Sequence, residues 1–289
     1  MAHEYTSEAT ERCERALGTL MRGVGQPWRR KICLVGGLVP LYLTPGNDYA
    51  QPQHIGSTDV DVALRLVVGA EDEGAYSTLG TNLRRAGFSR VDGSSWRWSA
   101  DVDGHAVVLE LLGDAAAAAP GTVFMPKVAL PAGAGGVGLL CVRGVELAFR
   151  DSVAVAREMV LLDGARSSVE FQVANLAPFV ALKADAYLDR RRPKDAYDLV
   201  YVLRWWDGGP VAAAAAIVAS PIAGEPFVLS AIERVAGEFA GPDRAGAADY
   251  AALAAAGRTE AEAARARNEA VLVVRQFAEA LGPPNAEGA

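Results

Sequence analysis

The sequence predicts an α+β protein with two domains: a mixed sheet flanked by helices over residues 1–173 and a helical domain over residues 174–289. Short runs of Val, Ile and Leu, separated by Gly, Pro and Asp, dominate the first part and are typical of strands. Longer runs with apolar residues at helical spacing dominate the second part. A chain of 289 residues is long enough to bury two cores.

The first domain is expected to begin with an amphipathic helix over residues 7–21, for which Ser7 is the predicted N-cap. A strand, the turn Gly36-Gly37 and a buried helix over residues 38–43 form the next unit. Residues 114–139 are rich in Ala, Gly and Pro, so we expect an irregular connection with one short strand near Phe124. The remaining predictions are a helix over 71–86 and strands over 31–35, 59–68, 88–91, 95–99, 105–112, 139–149 and 168–173.

The second domain is expected to start at Asn175, a good N-cap that precedes a helix through about residue 191. Pro193 suits the first turn of another helix, through residue 204. Between these helices lies a basic corner, Arg190–Lys194, for which a solvated helix end and an RNA contact both stay open. Two more helices are predicted over 227–239 and 260–281.

Acidic residues on predicted strands are the main chemical signal. Asp59 and Asp61 are two apart, so an extended strand points both carboxylates to one face. Glu110 is embedded in the apolar strand that follows, where an isolated carboxylate is costly to bury. A divalent metal shared by these three acids would relieve that cost. The alternatives are a solvated edge strand for the pair and Asp114 as the third acid.

Nucleotidyl transfer needs three such acids, a turn that binds phosphate and a cation for the triphosphate. Gly36 and Gly37 allow the backbone to approach a ligand closely and precede a helix N-terminus, which favours phosphate. Lys183 is the candidate cation, and the alternative is a surface lysine with a buried stem.

The order of these pieces resembles one family. Val35-Gly36-Gly37 is followed by Gly-Ser-Thr-Asp-Val-Asp over residues 56–61, then by Glu110, then by Lys183 and the run Lys-Asp-Ala-Tyr-Asp over residues 194–198. Over residues 31–203 the chain resembles the AbiEii-like nucleotidyltransferases, the toxins of type IV toxin–antitoxin systems.

The resemblance implies a polymerase-β-like catalytic domain, Mg²⁺ as cofactor, an NTP as substrate and an RNA acceptor, for several members the 3′ end of tRNA. A cognate antitoxin is also implied. The resemblance implies that Asp195 positions or activates the acceptor, and Asp198 is the alternative for this role. The implied metal ligands are Asp59, Asp61 and Glu110, and the implied nucleotide-binding residues are Gly36, Gly37, Ser57, Thr58 and Lys183.

Two other functions stay open. A small-molecule acceptor, as in aminoglycoside nucleotidyltransferases, is favoured by the net charge of -7, because a cationic drug suits an acidic cleft. A module that binds NTP with weakened transfer is favoured by Leu38, where related sites often have a hydroxyl, and by Glu110, where Asp is usual.

Composition excludes several classes of protein. The three cysteines are scattered without CxxC spacing, so neither a disulfide framework nor a zinc site is expected. The N-terminus lacks the pattern of a signal peptide, and no apolar run reaches the roughly 20 residues of a membrane span. We expect a soluble, cytoplasmic protein.

Overall fold

The computed structural model describes residues 5–25, 28–44, 46, 51–65, 70–114, 118–126 and 136–282, without the side chains of residues 70–77. Across these ranges the protein has an α+β architecture with a mixed sheet, as the sequence predicts. None of the described helices is long and apolar enough to cross a membrane.

The sheet lies in the first part of the chain and has the strand order β3-β4-β5-β2-β1-β9-β8, with β7 on β5 and β6 on β7. Parallel pairs join β2 to β5 and β1 to β9, while β1 and β2, like β4 and β5, run antiparallel. The strands are β1 Ile32–Val35, β2 Asp59–Leu64, β3 Ser89–Arg90, β4 Arg97–Val102, β5 His105–Asp114, β6 Val123–Phe124, β7 Leu139–Val142, β8 Ser152–Val160 and β9 Arg166–Ala174.

Helices make up most of the rest of the described chain. Helix α1 packs on the sheet through β2, β4, β5, β8 and β9, which its buried apolar face allows. The helices are α1 Ser7–Gly23, α2 Pro40–Leu43, α3 Ala70–Arg85, α4 Leu176–Arg190, α5 Pro193–Trp205, α6 Gly209–Val218, α7 Pro226–Gly237, α8 Ala245–Ala254 and α9 Glu260–Leu281.

The described chain divides into two compact units. The sheet unit contains residues 5–39 and 55–174, and the helical unit contains residues 40–54 and 175–282. The described residues of this segment, 40–44, 46 and 51–54, which the sequence assigns to the first domain, therefore pack with the helices. Two hydrogen bonds explain this: Tyr201 Oη donates to the carbonyl of Pro52, and Gln51 Nε2 donates to Tyr201 Oη.

Three predictions about individual elements are wrong. The N-cap of α1 is Thr6, whose hydroxyl accepts from the Ala9 amide, and Ser7 is already helical. The strand expected over 139–149 ends at Val142, because Gly144 turns the chain at φ 78° into a 3-10 helix, Val145–Phe149. The helix expected over 38–43 is a 3-10 turn, Gly36–Leu38, followed by the single turn of α2.

Three other elements, β8, α6 and α8, were not predicted from the sequence. Strand β8 alternates imperfectly and is mostly solvent-facing, and it is fixed by its long antiparallel pairing with β9. Helices α6 and α8 are Ala-rich, which hides their helical periodicity. The strand predicted over 59–68 begins at Asp59 and ends at Leu64. Arg65 follows β2, and residues 66–68 lie outside the described part of the chain.

Candidate active site

Strand β2 presents two carboxylates on one face of the sheet. Val60 and Val62 are fully buried, whereas Asp59 and Asp61, which alternate with them, are half-buried. The side chains therefore alternate between the two faces as the sequence predicts. Strand β5 adds a third acid to this face, since Glu110 is directly opposite Asp61 in the parallel register. We call Asp59, Asp61 and Glu110 the acid face.

Gly36 makes room for Asp61. It follows β1 with φ 75°, a conformation that glycine adopts without strain, and β1 places Val35 opposite Asp61. A β-carbon built on Gly36 would lie 1.9 Å from Asp61 Oδ2. The Gly-Gly turn therefore has a specific role at this position: any side chain on Gly36 would displace the Asp61 carboxylate.

Ser57 fixes the other carboxylate. The buried hydroxyl of Ser57 donates to Asp59 Oδ1 over 2.8 Å. Helix α1 holds the turn that carries Ser57, because the Ser57 amide donates to Thr10 Oγ1 and a β-carbon on Gly56 would lie 1.7 Å from that oxygen. Thr58, the neighbouring candidate for phosphate binding, is exposed.

Cys13, one turn further along α1, lies beneath the same turn. Its thiol is fully buried and donates to the Ser57 carbonyl over 3.5 Å. Burial raises the pKa of the Cys13 thiol to about 12, and the charges of Asp59 and Asp61 contribute to the rise. The thiol is therefore protonated at neutral pH and acts as a packing group, since only the thiolate is a strong nucleophile.

Glu110 is less buried than the sequence suggests and already has a cationic partner. Its side chain is 18% exposed, because it is on the half-open face of β5 between the buried Leu109 and Leu111. Arg97 is directly opposite Glu110 in the antiparallel pair of β4 and β5, and its Nε donates to Glu110 Oε1 over 2.9 Å. The charge of Glu110 is thus balanced within the sheet.

The register also distinguishes the two candidates for a third acid. Asp114 is on β5 four residues beyond Glu110, which corresponds to about 13 Å along a strand. It pairs in register with Val142 on β7, whereas Glu110 is opposite Asp61. Glu110 is therefore the acid that shares a row with the pair on β2.

The donor set suits a hard divalent cation. Mg²⁺ in nucleotide sites is commonly held by one or two carboxylates together with substrate phosphates. Asp59 and Asp61 can provide the two carboxylates from one face of β2. Among the described residues, no three His, Cys, Asp or Glu side chains come together as a metal site. Glu110 as the third ligand stays a prediction.

A second group of charges is buried in the helical unit. Lys183 on α4 and Lys194, Asp195 and Asp198 on α5 are each less than a tenth exposed, and we call these four residues the ion cluster. Lys183 Nζ lies 3.0 Å from Asp195 Oδ1 and 2.9 Å from Asp198 Oδ2. Lys194 pairs with Asp198 one helical turn away. The predicted Lys183 and Asp195 are thus direct partners.

The electrostatics of the ion cluster keep both carboxylates ionised. Burial opposes this, but Lys183 holds the pKa of Asp195 and Asp198 below their ordinary value, helped by Arg190 at Asp195 and by Lys194 at Asp198. Burial would also lower the pKa of Lys183, yet Asp198 and Asp195 raise it above its ordinary value. Lys183 is consequently a permanent positive charge.

His54 completes the ion cluster from the segment before β2. Its Nε2 lies 2.8 Å from Asp198 Oδ1, and its ring contacts those of both Tyr197 and Tyr201. Burial, reinforced by the charge of Lys194, lowers the pKa of His54 to about 4. The neutral imidazole therefore donates its Nε2 proton to Asp198 at neutral pH.

The basic corner is largely paired with carboxylates of the helical unit. Arg190 forms a two-pronged contact with Asp195, through Nε at 2.7 Å and Nη2 at 2.8 Å. Arg191 ends α4 at φ 50° and donates to Glu238 over 2.8 Å. Together with the pair of Lys194 and Asp198, these contacts reduce the positive charge that the corner could offer to an RNA backbone.

Comparison with protein families decides the identity. The model of the family described as nucleotidyl transferase AbiEii toxin, type IV TA system, matches residues 108–281, more than half of the chain. The chain belongs to this family. The match includes Glu110, Lys183 and Asp195 and begins after Asp59 and Asp61. No curated protein and no solved structure matches the chain significantly.

Membership of the AbiEii family indicates nucleotidyl transfer as the activity, with an NTP as substrate, and a toxin with a cognate antitoxin as the biological setting. Within the AbiEii-family protein, the sheet unit brings together Gly36, Ser57 and the acid face, while Lys183 and Asp195 meet in the helical unit.

Several residues of these two sites were missed by sequence reasoning. Arg97 could be found only from the register of β4 and β5, and a lone histidine in a loop, such as His54, is a weak signal. Thr10 and Cys13 carried a usable signal: they are three residues apart on α1, which places both on one face of that helix.

Proposed function

We propose that this protein is a Mg²⁺-dependent nucleotidyltransferase with a polymerase-β-like catalytic domain that moves a nucleotide from an NTP to an RNA, first of all the 3′ end of tRNA, and thereby acts as a toxin. The observation that carries the proposal is the paired Asp59 and Asp61 on one face of β2, supported by Ser57 and Gly36. Family membership supports the reaction class. The RNA acceptor rests on the resemblance of the motifs.

In this reaction a hydroxyl of the acceptor attacks the α-phosphate, the bond between the α- and β-phosphates breaks, and pyrophosphate leaves. Bound Mg²⁺ would supply charge neutralisation at the phosphates and orient them. Asp59 and Asp61 would hold the ion with their oxygens. Ser57 keeps the Asp59 carboxylate in one orientation, so less ordering is needed when the substrate binds.

Lys183 and Asp195 enter the proposal as one unit. Lys183 is the cation that the resemblance implies for the triphosphate, and its protonated state fits that role. Asp195 contacts both Lys183 and Arg190, so it holds Lys183 in place besides any contact with the acceptor. The low pKa of Asp195 favours positioning of the acceptor over proton abstraction from it.

A small-molecule acceptor is the second candidate. The chain carries a net charge of -7, and three cations of the basic corner, Arg190, Arg191 and Lys194, are paired with carboxylates, which reduces the charge available to an RNA backbone. A polycationic acceptor such as an aminoglycoside would be attracted to the same acid face.

Transfer can be tested by incubating the protein with each α-labelled NTP, Mg²⁺ and either total RNA or a set of aminoglycosides. We expect label on RNA, and a loss of at least about 100-fold in Asp61→Asn, the scale of removing one group that stabilises the transition state. Asp92→Asn is the matched control, because Asp92 is an exposed acid in the turn between β3 and β4.

The outcomes separate the candidates. Label on an aminoglycoside but not on RNA would replace the RNA acceptor with a small molecule. Tight Mg²⁺-dependent binding of NTP without label on any acceptor would favour the weakened module instead. Equal labelling by the wild type and Asp61→Asn would disprove a site on β2.

A further inference from the structure

We infer that Arg97 is a binding residue for the polyphosphate of the nucleotide, held in position by Glu110. This inference rests on the proposed function and concerns the same site. It assigns to the sheet unit a cation that faces the nucleotide beside Asp59 and Asp61. The ligand chemistry is a chain of phosphates, whether of an NTP or of the pyrophosphate that leaves.

The position of Arg97 follows from strand register. Asp61 is opposite Glu110 across β2 and β5, and Glu110 is opposite Arg97 across β5 and β4. Directly opposite residues share a face of a sheet, so these three side chains form one row. Two strand spacings of about 4.8 Å each separate Arg97 from Asp61 at the backbone, about 10 Å in all. A metal-bound triphosphate and an arginine side chain can span that distance.

The guanidinium of Arg97 is available for a ligand. Its side chain is 48% exposed although Nε is bound to Glu110. The structure describes no protein partner for its two Nη groups among the residues it covers. A guanidinium presents these groups as a planar fork that matches two phosphate oxygens.

Neighbouring contacts hold the fork in place before a ligand arrives. The amide of Arg97 donates to Ser94 Oγ, and its carbonyl accepts from the Val91 amide. The guanidinium carbon lies 4.3 Å from the centre of the Trp96 ring, a favourable cation–π contact. Because Glu110 and Trp96 restrict the side chain, less conformational freedom is lost on binding.

Charge makes such a residue necessary. A triphosphate approaching Asp59, Asp61 and Glu110 brings more negative charge to a face that already carries three carboxylates. The ammonium of Lys183 belongs to the helical unit, where it is buried and paired with Asp195 and Asp198. Arg97 is the cation that the strand register places in the same row as the acids.

The test measures equilibrium binding of each NTP, of tripolyphosphate and of the unphosphorylated nucleosides by calorimetry, with and without Mg²⁺. In Arg97→Gln we expect NTP and tripolyphosphate to bind at least about 10-fold more weakly, the loss typical of a hydrogen bond to a charged group. Nucleoside binding should not change. Arg97→Lys should fall in between, because it keeps the charge and loses the fork.

Two further variants sharpen the result. Arg166→Gln is the matched control, an exposed arginine at the start of β9, and should bind NTP like the wild type. Glu110→Ala removes the oxygen that accepts from Arg97 Nε, so in this background Arg97→Gln should weaken Mg²⁺-free binding of tripolyphosphate by a smaller factor than in the wild type, because the guanidinium is no longer held. An equal factor in both backgrounds would show that the inferred holding role is wrong.

The inference and the proposed function fail in different ways. If the wild type binds an NTP and labels an acceptor while Arg97→Gln binds that NTP equally tightly, the assignment of Arg97 is wrong and the proposed function stands. If the wild type binds no NTP and labels no acceptor, the proposed function fails and the role of Arg97 fails with it. Melting curves of each variant establish that the exposed substitutions leave the fold intact.

Discussion

The position of a carboxylate at this site is set by its immediate neighbours. Asp61 occupies space that exists only because Gly36 lacks a side chain, and Asp59 is held by a hydrogen bond from Ser57 two residues earlier. Ser57 is a near neighbour of Asp59 in the sequence, and Gly36 is a neighbour of Asp61 across the pair of β1 and β2. A change of a single atom at either support should therefore alter the site without altering the fold.

Gly36→Ala tests this dependence. The added β-carbon would lie 1.9 Å from Asp61 Oδ2, so the carboxylate must move, and a displacement of about 1 Å is expected to reduce transfer about 100-fold. The positive φ adds a strain of about 1–2 kcal/mol. The measurements are transfer rate and free energy of unfolding.

Gly93→Ala is the matched control, because Gly93 has φ 72° and no atom lies within 4 Å of the position that its β-carbon would take, so it shares the strain but not the displacement. We expect a comparable loss of stability and full activity. Full activity in Gly36→Ala would contradict the proposed role of the glycine.

At the scale of elements, helix α5 and the segment 51–54 form the least expected part of the structure. The sequence predicts α5 and its acids, and the helix indeed begins at Pro193. The segment brings His54 and Gln51 to the same helix, where they contact Asp198 and Tyr201. The stability of this contact depends on the protonation of His54.

Stability should therefore fall on mild acidification. Between the ordinary pKa of 6.5 and the folded value of about 4, unfolded His54 binds a proton that the folded protein excludes, so the free energy of unfolding decreases as the pH falls through this range. At about 1.4 kcal/mol per pH unit, the full shift corresponds to about 3.5 kcal/mol. The lowered pKa values of Asp195 and Asp198 add losses only below about pH 3.8.

The measurement is urea denaturation from pH 7 to pH 4.5, followed by circular dichroism. His54→Asn should lose this part of the pH dependence, since asparagine does not titrate. His105→Asn should keep it, because His105 is exposed on β5. Parallel curves for the wild type and His54→Asn would show that the histidine does not titrate between the two states.

At the scale of the whole molecule, the helical unit is discontinuous in sequence. It combines residues 40–54 with residues 175–282, and the sheet unit contains the residues between these two segments. A division of the chain at residue 174, as the sequence suggests, would separate Asp198 from His54 and Tyr201 from Pro52. The two segments of the helical unit should depend on each other for stability.

A fragment of residues 175–289 should consequently be stabilised by a separate peptide of residues 40–54. A hydrogen bond to a charged group contributes about 1.5–3 kcal/mol, which for a unit of this size corresponds to an increase in Tm of at least about 5 °C at saturation. Thermal denaturation of the fragment with and without peptide measures the effect. A peptide in which His54 is replaced by Phe should stabilise less, and equal melting with and without the wild-type peptide would contradict the prediction.

The sequence by itself determined the features that depend on local periodicity. Alternation placed Asp59 and Asp61 on one face, the apolar runs gave strands β1, β2 and β5, and Asn175 and Pro193 marked the starts of α4 and α5. Each of these follows from a few neighbouring residues, because side-chain direction repeats every two residues in a strand and every 3.6 in a helix.

Only the tertiary structure decided which charges meet. Arg97 faces Glu110 because of the register between β4 and β5. His54 contacts Asp198, 144 residues away, because the chain leaves the helical unit after His54 and returns to it at Asn175. Lys183 meets Asp195 and Asp198 for the same kind of reason, through the packing of α4 on α5. Such partners are set by long-range packing, for which local spacing carries no signal, and they decide whether a charged side chain binds a ligand or another residue of the protein.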